Sequence, residues 1–313
     1  MSSYLKRFAS TVIVFIVFVV LLASVLLYNR EKKQPEKGSE KVFPALKTDD
    51  ITSIDLKSSG IEFALRKEDG GWVVQSGGKK FGADGSAVGD LVRDVGEMEV
   101  DKLVSRDPAN LDEYGFVDSL TEFSVHTKDT EYPVIIGDRS PVGSGIYIYD
   151  LGEGRVLIVE DRYLWGFLRK KPEDFRERRL TRIEKDGVAR ITVRVGDFST
   201  ALVKDGGRWY EVIGGENRPA DQKKVLELLD SFAELKAAGF EDDVHGNLEK
   251  YELTEPVAEI VFYGKGSEEG VLFGKRNDES TYFAKAKGAD PVYTVSKNYF
   301  IILPKNNEDY LSK

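Results

Sequence analysis

Residues 62–74 read EFALRKEDGGWVV, and residues 199–212 read STALVKDGGRWYEV. Each stretch is an alternating apolar run, a turn built on Asp-Gly and Gly-Gly, and a second run that carries a tryptophan. This is the sequence form of a β-hairpin, because glycine supplies the positive φ that a tight antiparallel turn requires. The two hairpins are in step. Trp72 and Trp209 stand 137 positions apart, as do Ala64-Leu65 and Ala201-Leu202. The same offset relates Asn110-Leu111 and Tyr114 to Asn247-Leu248 and Tyr251, and Val134 and Gly137 to Val271 and Gly274. The chain therefore contains two copies of one domain.

Working outward from the hairpins, each copy opens on a strand: Ile51, Ile54 and Leu56 in the first, and Val188, Ile191, Val193 and Val195 in the second. A helix follows each hairpin. Val88, Leu91, Val92, Val95 and Met98 form one apolar stripe, matched by Val225, Leu228, Leu229, Phe232 and Leu235. Asp84 and Asp221 occupy the N-cap positions. Closely spaced strand-like runs then follow (TEFSVHT, YPVIIG, GIYIYDL and RVLIVE; AEIVFYG, GVLFG, TYFAKA and PVYTV). Short Gly-rich connections between them imply an antiparallel meander, not a parallel doubly wound sheet. The expected fold class is α+β: two tandem repeats, each an antiparallel sheet with one main amphipathic helix. The expected boundaries are 42–168 for the first repeat, 169–182 for a basic connector and 183–313 for the second repeat.

Ahead of the repeats, residues 9–28 (ASTVIVFIVFVVLLASVLLY) carry no charge. Twenty residues at about 1.5 Å each cross roughly 30 Å of hydrocarbon. A signal peptide has a shorter core and a small-residue cleavage site, so the segment reads as an uncleaved transmembrane anchor after a short tail, residues 1–8. Residues 29–41 (NREKKQPEKGSEK) have no apolar side chain and read as a charged tether. The export-signal layout puts the amino terminus inside and the bulk of the chain outside. The five basic residues after the span (Arg30, Lys32, Lys33, Lys37, Lys41) argue for the reverse.

The formal net charge is −9, made of +4 in residues 1–41 and −13 beyond them. An acidic body repels phosphate backbones, so nucleic acid is not an expected partner. With no cysteine, thiolate chemistry, disulfides and cysteine zinc sites are excluded. Only two histidines are present, His126 and His245, and they do not occupy equivalent places in the repeat. Glu241, Asp242, Asp243 and His245 could be drawn together around a metal, but clustered acids in a polar loop are more often solvated. No phosphate-binding GxxxxGK[ST] pattern occurs, so the chain is not itself a transport ATPase. No catalytic, metal or cofactor-binding residue is assigned, and no cofactor is expected. The junction RKKPEDFRERRLTR (169–182) holds seven Lys/Arg. It is expected to be a solvated connector, with Arg176, Arg178, Arg179 and Arg182 as candidates for docking a partner.

These features together resemble the bacterial domain of unknown function 4340 family. The resemblance rests on the anchor, Ile51-Thr52-Ser53-Ile54-Asp55-Leu56, Gly71-Trp72, Leu111-Asp112-Glu113-Tyr114-Gly115-Phe116, Ile136-Gly137, Tyr147 and Phe175-Arg176-Glu177-Arg178-Arg179-Leu180. The copies depart from each other at Ser119, which stands where the other copy has Pro256, and at Glu252, which replaces the glycine of Tyr114-Gly115. The resemblance implies a membrane-anchored extracytoplasmic protein associated with ABC-type transport or gliding-type export systems. It brings no catalytic residues. The expected function is thus a noncatalytic binding and assembly module, an accessory subunit in the inner membrane with its bulk periplasmic and with protein partners there. The alternatives are a carboxylate-dependent glycan hydrolase of the envelope and a cytoplasmic-facing membrane scaffold.

Overall fold

The structure, a computed structural model, describes residues 40–312 except 142, 234, 243, 245, 265 and 290. The expected anchor at 9–28, and the tether up to residue 39, lie outside the described residues. Among the described residues no helix is long and apolar enough to cross a membrane.

The chain divides into two compact units, one ending at Arg176 and the other beginning at Glu177. Unit 1 contains β1 (Ser53–Ser58), β2 (Ile61–Glu68), β3 (Gly71–Ser76), β4 (Lys79–Gly82), helix α1 (Gly85–Glu97), β5 (Val100–Arg106), β6 (Thr121–His126), β7 (Glu131–Arg139), β8 (Gly145–Asp150), β9 (Arg155–Glu160) and the short helix α2 (Trp165–Arg169). Its nine strands form one antiparallel sheet in the order β4-β3-β2-β1-β6-β7-β8-β9-β5.

Unit 2 repeats this with β10 (Arg190–Val195), β11 (Phe198–Asp205), β12 (Arg208–Ile213), β13 (Glu216–Pro219), helix α3 (Gln222–Ala233), β14 (Gly239–Glu241), β15 (Ala258–Tyr263), β16 (Glu268–Arg276), β17 (Thr281–Ala286), β18 (Val292–Ser296) and α4 (Lys297–Ile301). The order is the same, β13-β12-β11-β10-β15-β16-β17-β18-β14. The register agrees residue for residue: Asp55 faces Ala64 and Ser124, and Thr192 faces Ala201 and Val261.

Each unit is thus an antiparallel sheet with one main helix, but not one uninterrupted meander. β1 and β10 lie centrally, the hairpin strands run off to one side, and β6–β9 or β15–β18 run off to the other. β5 and β14 cross over to the far edge. The four edge strands left no signal in the sequence for a physical reason. β5 has no fully buried residue and pairs with two register shifts, and β14 is three residues long.

The helices owe their existence to packing, since isolated helices of this length are marginal in water. Val88, Leu91, Val95 and Met98 join Ile54, Leu65, Val74 and Phe123 in one core. In unit 2, Val225, Leu228, Leu229, Phe232 and Leu235 pack with Ile191, Leu202 and Phe262. Both caps form as expected: Asp84 accepts from the amides of Ser86 and Ala87, and Asp221 from those of Lys223 and Lys224.

The repeated tyrosine motif has a steric cause. Asp112–Tyr114 and Glu249–Tyr251 each form one 3-10 turn that ends in the left-handed region, at Gly115 (φ 76°) and at Glu252 (φ 54°). The turn brings the tyrosine carbonyl down onto the following sheet, at Gly137 in unit 1 and Gly274 in unit 2. A Cβ at either glycine would collide with that oxygen. At the same places the strand pairing slips, between Ile136 and Arg139 and between Phe273 and Arg276. The glycine therefore sits in a bulge, which bends a strand and sharpens its twist. After the bulge the offset between the copies falls to 136, since Ile136 faces Ile148 while Phe273 faces Ala284.

The basic junction differs from expectation. It is not a solvated connector, because apolar residues within it pin it to each unit. Phe175 is fully buried and its carbonyl accepts from the Asp84 amide, which closes unit 1. Leu180 and Thr181 are buried in unit 2, where the Leu180 amide donates to Leu235 and the Thr181 hydroxyl to the Phe232 carbonyl. The charge count concealed two anchors spaced five residues apart.

Gly137→Ala and Gly274→Ala should each cost about 1–3 kcal/mol, as overpacking does at sites that cannot relax. Gly89→Ala, in α1 with open space around it, should instead gain about 0.5–1 kcal/mol. Chemical denaturation midpoints of the three variants check both signs.

Candidate functional site

One face of the β1/β2/β3/β6 region is core: Ile54, Leu56, Phe63, Leu65, Val74, Phe123 and Val125 all point into it. Strand alternation sends the intervening residues to the opposite, open face. There Asp55, Lys57, Glu62, Ala64, Gln75, Glu122 and Ser124 line a groove of about 660 Å³, with Gly77, Gly78, Lys79 and Lys80 of the β3–β4 turn along its rim. Ala64 lies between Asp55 and Gln75 in the cross-strand register and forms a low floor. Lys57 stands between Glu62 and Glu122, and its ammonium lies 4.0 Å from the Glu122 carboxylate.

Beside the groove, Asp55 is held from two sides. Its Oδ1 pairs with the Arg66 guanidinium and its Oδ2 lies 2.9 Å from Nε2 of His126. Arg66 and His126 both face Ser53, so the three groups meet diagonally across three strands. His126, Asp55 and Arg66 were each recognisable as strand residues. Their meeting was not, because among 54 acids only the strand register picks out the pairing.

Unit 2 has a groove at the same place, about 450 Å³, lined among others by Arg190, Thr192, Arg194, Ala201, Val212, Glu259 and Lys287. Ala201 is again the floor, opposite Thr192 and Val212. The chemistry is different. Thr192, Val203 and Tyr263 replace Asp55, Arg66 and His126, and two cations, Arg194 at 3.9 Å and Lys287, flank Glu259. Lys287 lies 3.3 Å from Glu259 and 2.9 Å from Glu268, and these contacts push its ammonium pKa up, the Glu268 hydrogen bond most.

The four junction arginines divide between the units. Arg176 is buried in unit 1, its guanidinium 3.6 Å from the centre of the Phe81 ring. Arg178 donates to the carbonyls of Ala237 and Ala238 and lies over Phe240. Both therefore serve their own unit's packing. Arg179 and Arg182 are exposed; Arg182 pairs with Glu177 at 3.4 Å, and its amide donates to Glu269. Of the acidic-loop residues considered for a metal, Asp243 and His245 lie outside the described residues, and Glu241 ends β14. Among the described residues no group of three or more His, Asp or Glu could hold a metal ion.

A third difference between the copies is internal. Phe63, Val74 and Phe175 are apolar neighbours in the unit 1 core. Their counterparts in unit 2 are Thr200, Glu211 and Tyr310. Glu211 is fully buried; Thr200 donates to its Oε1 at 2.8 Å, and its Oε2 has no hydrogen-bond partner among the described residues. Burial raises the Glu211 pKa above the ordinary carboxylate value, outweighing the Thr200 hydrogen bond. Burial likewise raises the Tyr310 phenol, whose hydroxyl donates to the Ile302 carbonyl.

Fold and faces together define a class: tandem antiparallel units that share a scaffold and differ on the surfaces the scaffold presents. A family model described as Domain of unknown function (DUF4340) matches residues 72–218 and again residues 209–313, and the chain belongs to this family. The two matches begin at the paired tryptophans, Trp72 and Trp209. No curated protein and no solved structure matches the chain.

Because the folded state raises the Glu211 pKa, its contribution to stability is complete below the unfolded carboxylate pKa. That contribution is lost as pH rises through the higher folded value. Thr200→Val alone should cost about 1–3 kcal/mol, by leaving the acid without its donor. The double change Thr200→Val/Glu211→Val should be near neutral and should remove this fall with pH. Unfolding free energies measured across the pH range read both effects.

Proposed function

We propose that this protein is a noncatalytic binding and assembly module, held to the cytoplasmic membrane by residues 9–28 with its two units on the extracytoplasmic side. In this reading it is an accessory subunit of an ABC-transporter-like or gliding/export-type envelope complex. The observation that carries the proposal is the pair of open-face grooves at equivalent positions, with a shared alanine floor and unlike linings. A duplicated scaffold that keeps its core and varies one face has the form of a protein that holds two different things. The uncharged span at 9–28 and the charged tether after it support the anchored arrangement.

The groove in unit 1 offers interleaved acids and cations, suited to a polar partner surface of mixed charge. The groove in unit 2 offers Arg190, Arg194 and Lys287 against Glu259, suited to a more acidic one. Ala64→Trp and Ala201→Trp fill the grooves from residues that point away from the core. Each should abolish a distinct crosslinked species in intact membranes while leaving the thermal midpoint within about 2–4 °C of wild type, the shift expected for 1 kcal/mol in a chain of this size. Crosslinks that survive both substitutions would sink the proposal. An alkaline phosphatase reporter fused after Lys313 tests the orientation independently: activity is expected, and an inactive reporter would favour the cytoplasmic-facing arrangement.

A further inference from the structure

Residues 304–312 close unit 2, and they do so over a buried acid. Tyr310 reaches back into the core beside Trp209, Val225 and Leu228. Its carbonyl accepts from the Asp221 amide at the cap of α3, and the Ser312 amide donates to the Pro219 carbonyl at the end of β13. The Asp309 carbonyl accepts from the Lys224 ammonium. Between these fastenings the segment carries its own turn, in which the Asp309 carboxylate accepts from the amides of Lys305 and Asn306. The turn is self-contained, so the segment can part from the unit without unravelling β13 or α3.

Glu211 of β12 lies beneath it, fully buried, with Oε2 lacking a hydrogen-bond partner among the described residues. Such a site holds the neutral acid with Thr200 as donor, but it charges an ionised carboxylate the full cost of desolvation. Strand register fixes the surroundings. β11 presents Thr200, Leu202 and Lys204, the last over the Trp209 ring, and β13 presents Arg218, directly opposite and exposed. α3 contributes Lys224 and Glu227, and the segment contributes Asp309 and Tyr310. Burial raises the Tyr310 phenol, and the charges of Asp309, Glu227 and Glu211 raise it further. Ionising Glu211 therefore sets a third negative charge against the closing segment. Unit 1 closes without this tension: Val74 stands in place of Glu211, and Arg176 of its closing segment lies over the Phe81 ring. In unit 2 the cation has crossed to the sheet, with Arg218 at the place of Phe81 and Leu311 at that of Arg176.

We propose that residues 304–312 are a proton-controlled latch, docked while Glu211 carries its proton and released when it ionises. The latch is independent of the membrane anchor. In the docked state burial holds the Glu211 pKa above the ordinary carboxylate value; once the segment leaves, water reaches the carboxylate and that value is restored. Docking is then strongest below the ordinary carboxylate pKa and weakens as pH rises to the docked one, beyond which it levels off. With one proton lost per opening, the ratio of released to docked chains grows up to about tenfold for each pH unit across that window. Release frees the Pro219 carbonyl and the Asp221 amide at the outer edge of β13.

The chain has no cysteine, so Ser312→Cys, at an exposed position, gives the full-length protein a single site for a nitroxide. At fixed ionic strength the label should be immobile at low pH and gain a mobile component as pH rises. In Glu211→Gln, and in Thr200→Val/Glu211→Val, it should stay immobile throughout. A mobile component that does not grow with pH while Glu211 is present overturns the latch, as does one that still grows in a folded variant without the acid. A second label at Leu226→Cys, on the exposed side of α3, separates opening of the segment from unfolding of unit 2. It should not respond to pH over the same window, and loosening in step with the first label contradicts the proposal.

Discussion

The contact on which each unit depends is between a backbone oxygen and a missing side chain. The Tyr114 carbonyl rests on Gly137, and the Tyr251 carbonyl on Gly274. That contact lands the loop after the crossover strand onto the sheet. It coincides with the bulge that lets β7 and β16 bend where their partners continue. Any Cβ at these glycines would lift the turn or straighten the bulge. The turn itself tolerates more: Gly115 adopts the left-handed conformation without strain, and Glu252 adopts it at a cost of about 1–2 kcal/mol. Two copies that keep the glycine under the carbonyl and vary the glycine after the tyrosine show which constraint is strict.

Much of the scaffold was legible in the sequence. The hairpins, the caps Asp84 and Asp221, the helix stripes and the eight runs after the helices depend on local periodicity, and all of them form. The edge strands were not legible. β4 and β13 have no fully buried residue, and β14 is too short for alternation to register. The packed junction was obscured for a related reason. In 169–182 the seven basic residues dominate the composition, while Phe175 and Leu180, only two side chains, decide where the segment goes.

The candidate site was less legible than the fold, because it consists of strand register. Asp55, Arg66 and His126 are separated by 11 and 60 positions in the chain, and meet only once β2 and β6 flank β1. Ala64 and Ala201 were visible as a repeated pair, but the reason for a small residue there is the groove above it. The exchange of Phe63, Val74 and Phe175 for Thr200, Glu211 and Tyr310 follows the same logic inside the core. An alternating strand reads identically in either copy, and only the placement of β11 and β12 shows that Glu211 points inward. Shared residues thus build the frame, and unshared ones carry what distinguishes the copies.

The central claim is that each copy is a complete folding unit, closed by its own C-terminal segment: Phe175 returning to Asp84 in unit 1, and Tyr310 returning to Asp221 in unit 2. Scanning calorimetry on residues 40–176 and 177–313, produced as separate chains, tests it most directly. The account predicts one cooperative unfolding transition for each fragment. A fragment that shows no transition alone, and gains one only when the other is added, would contradict it.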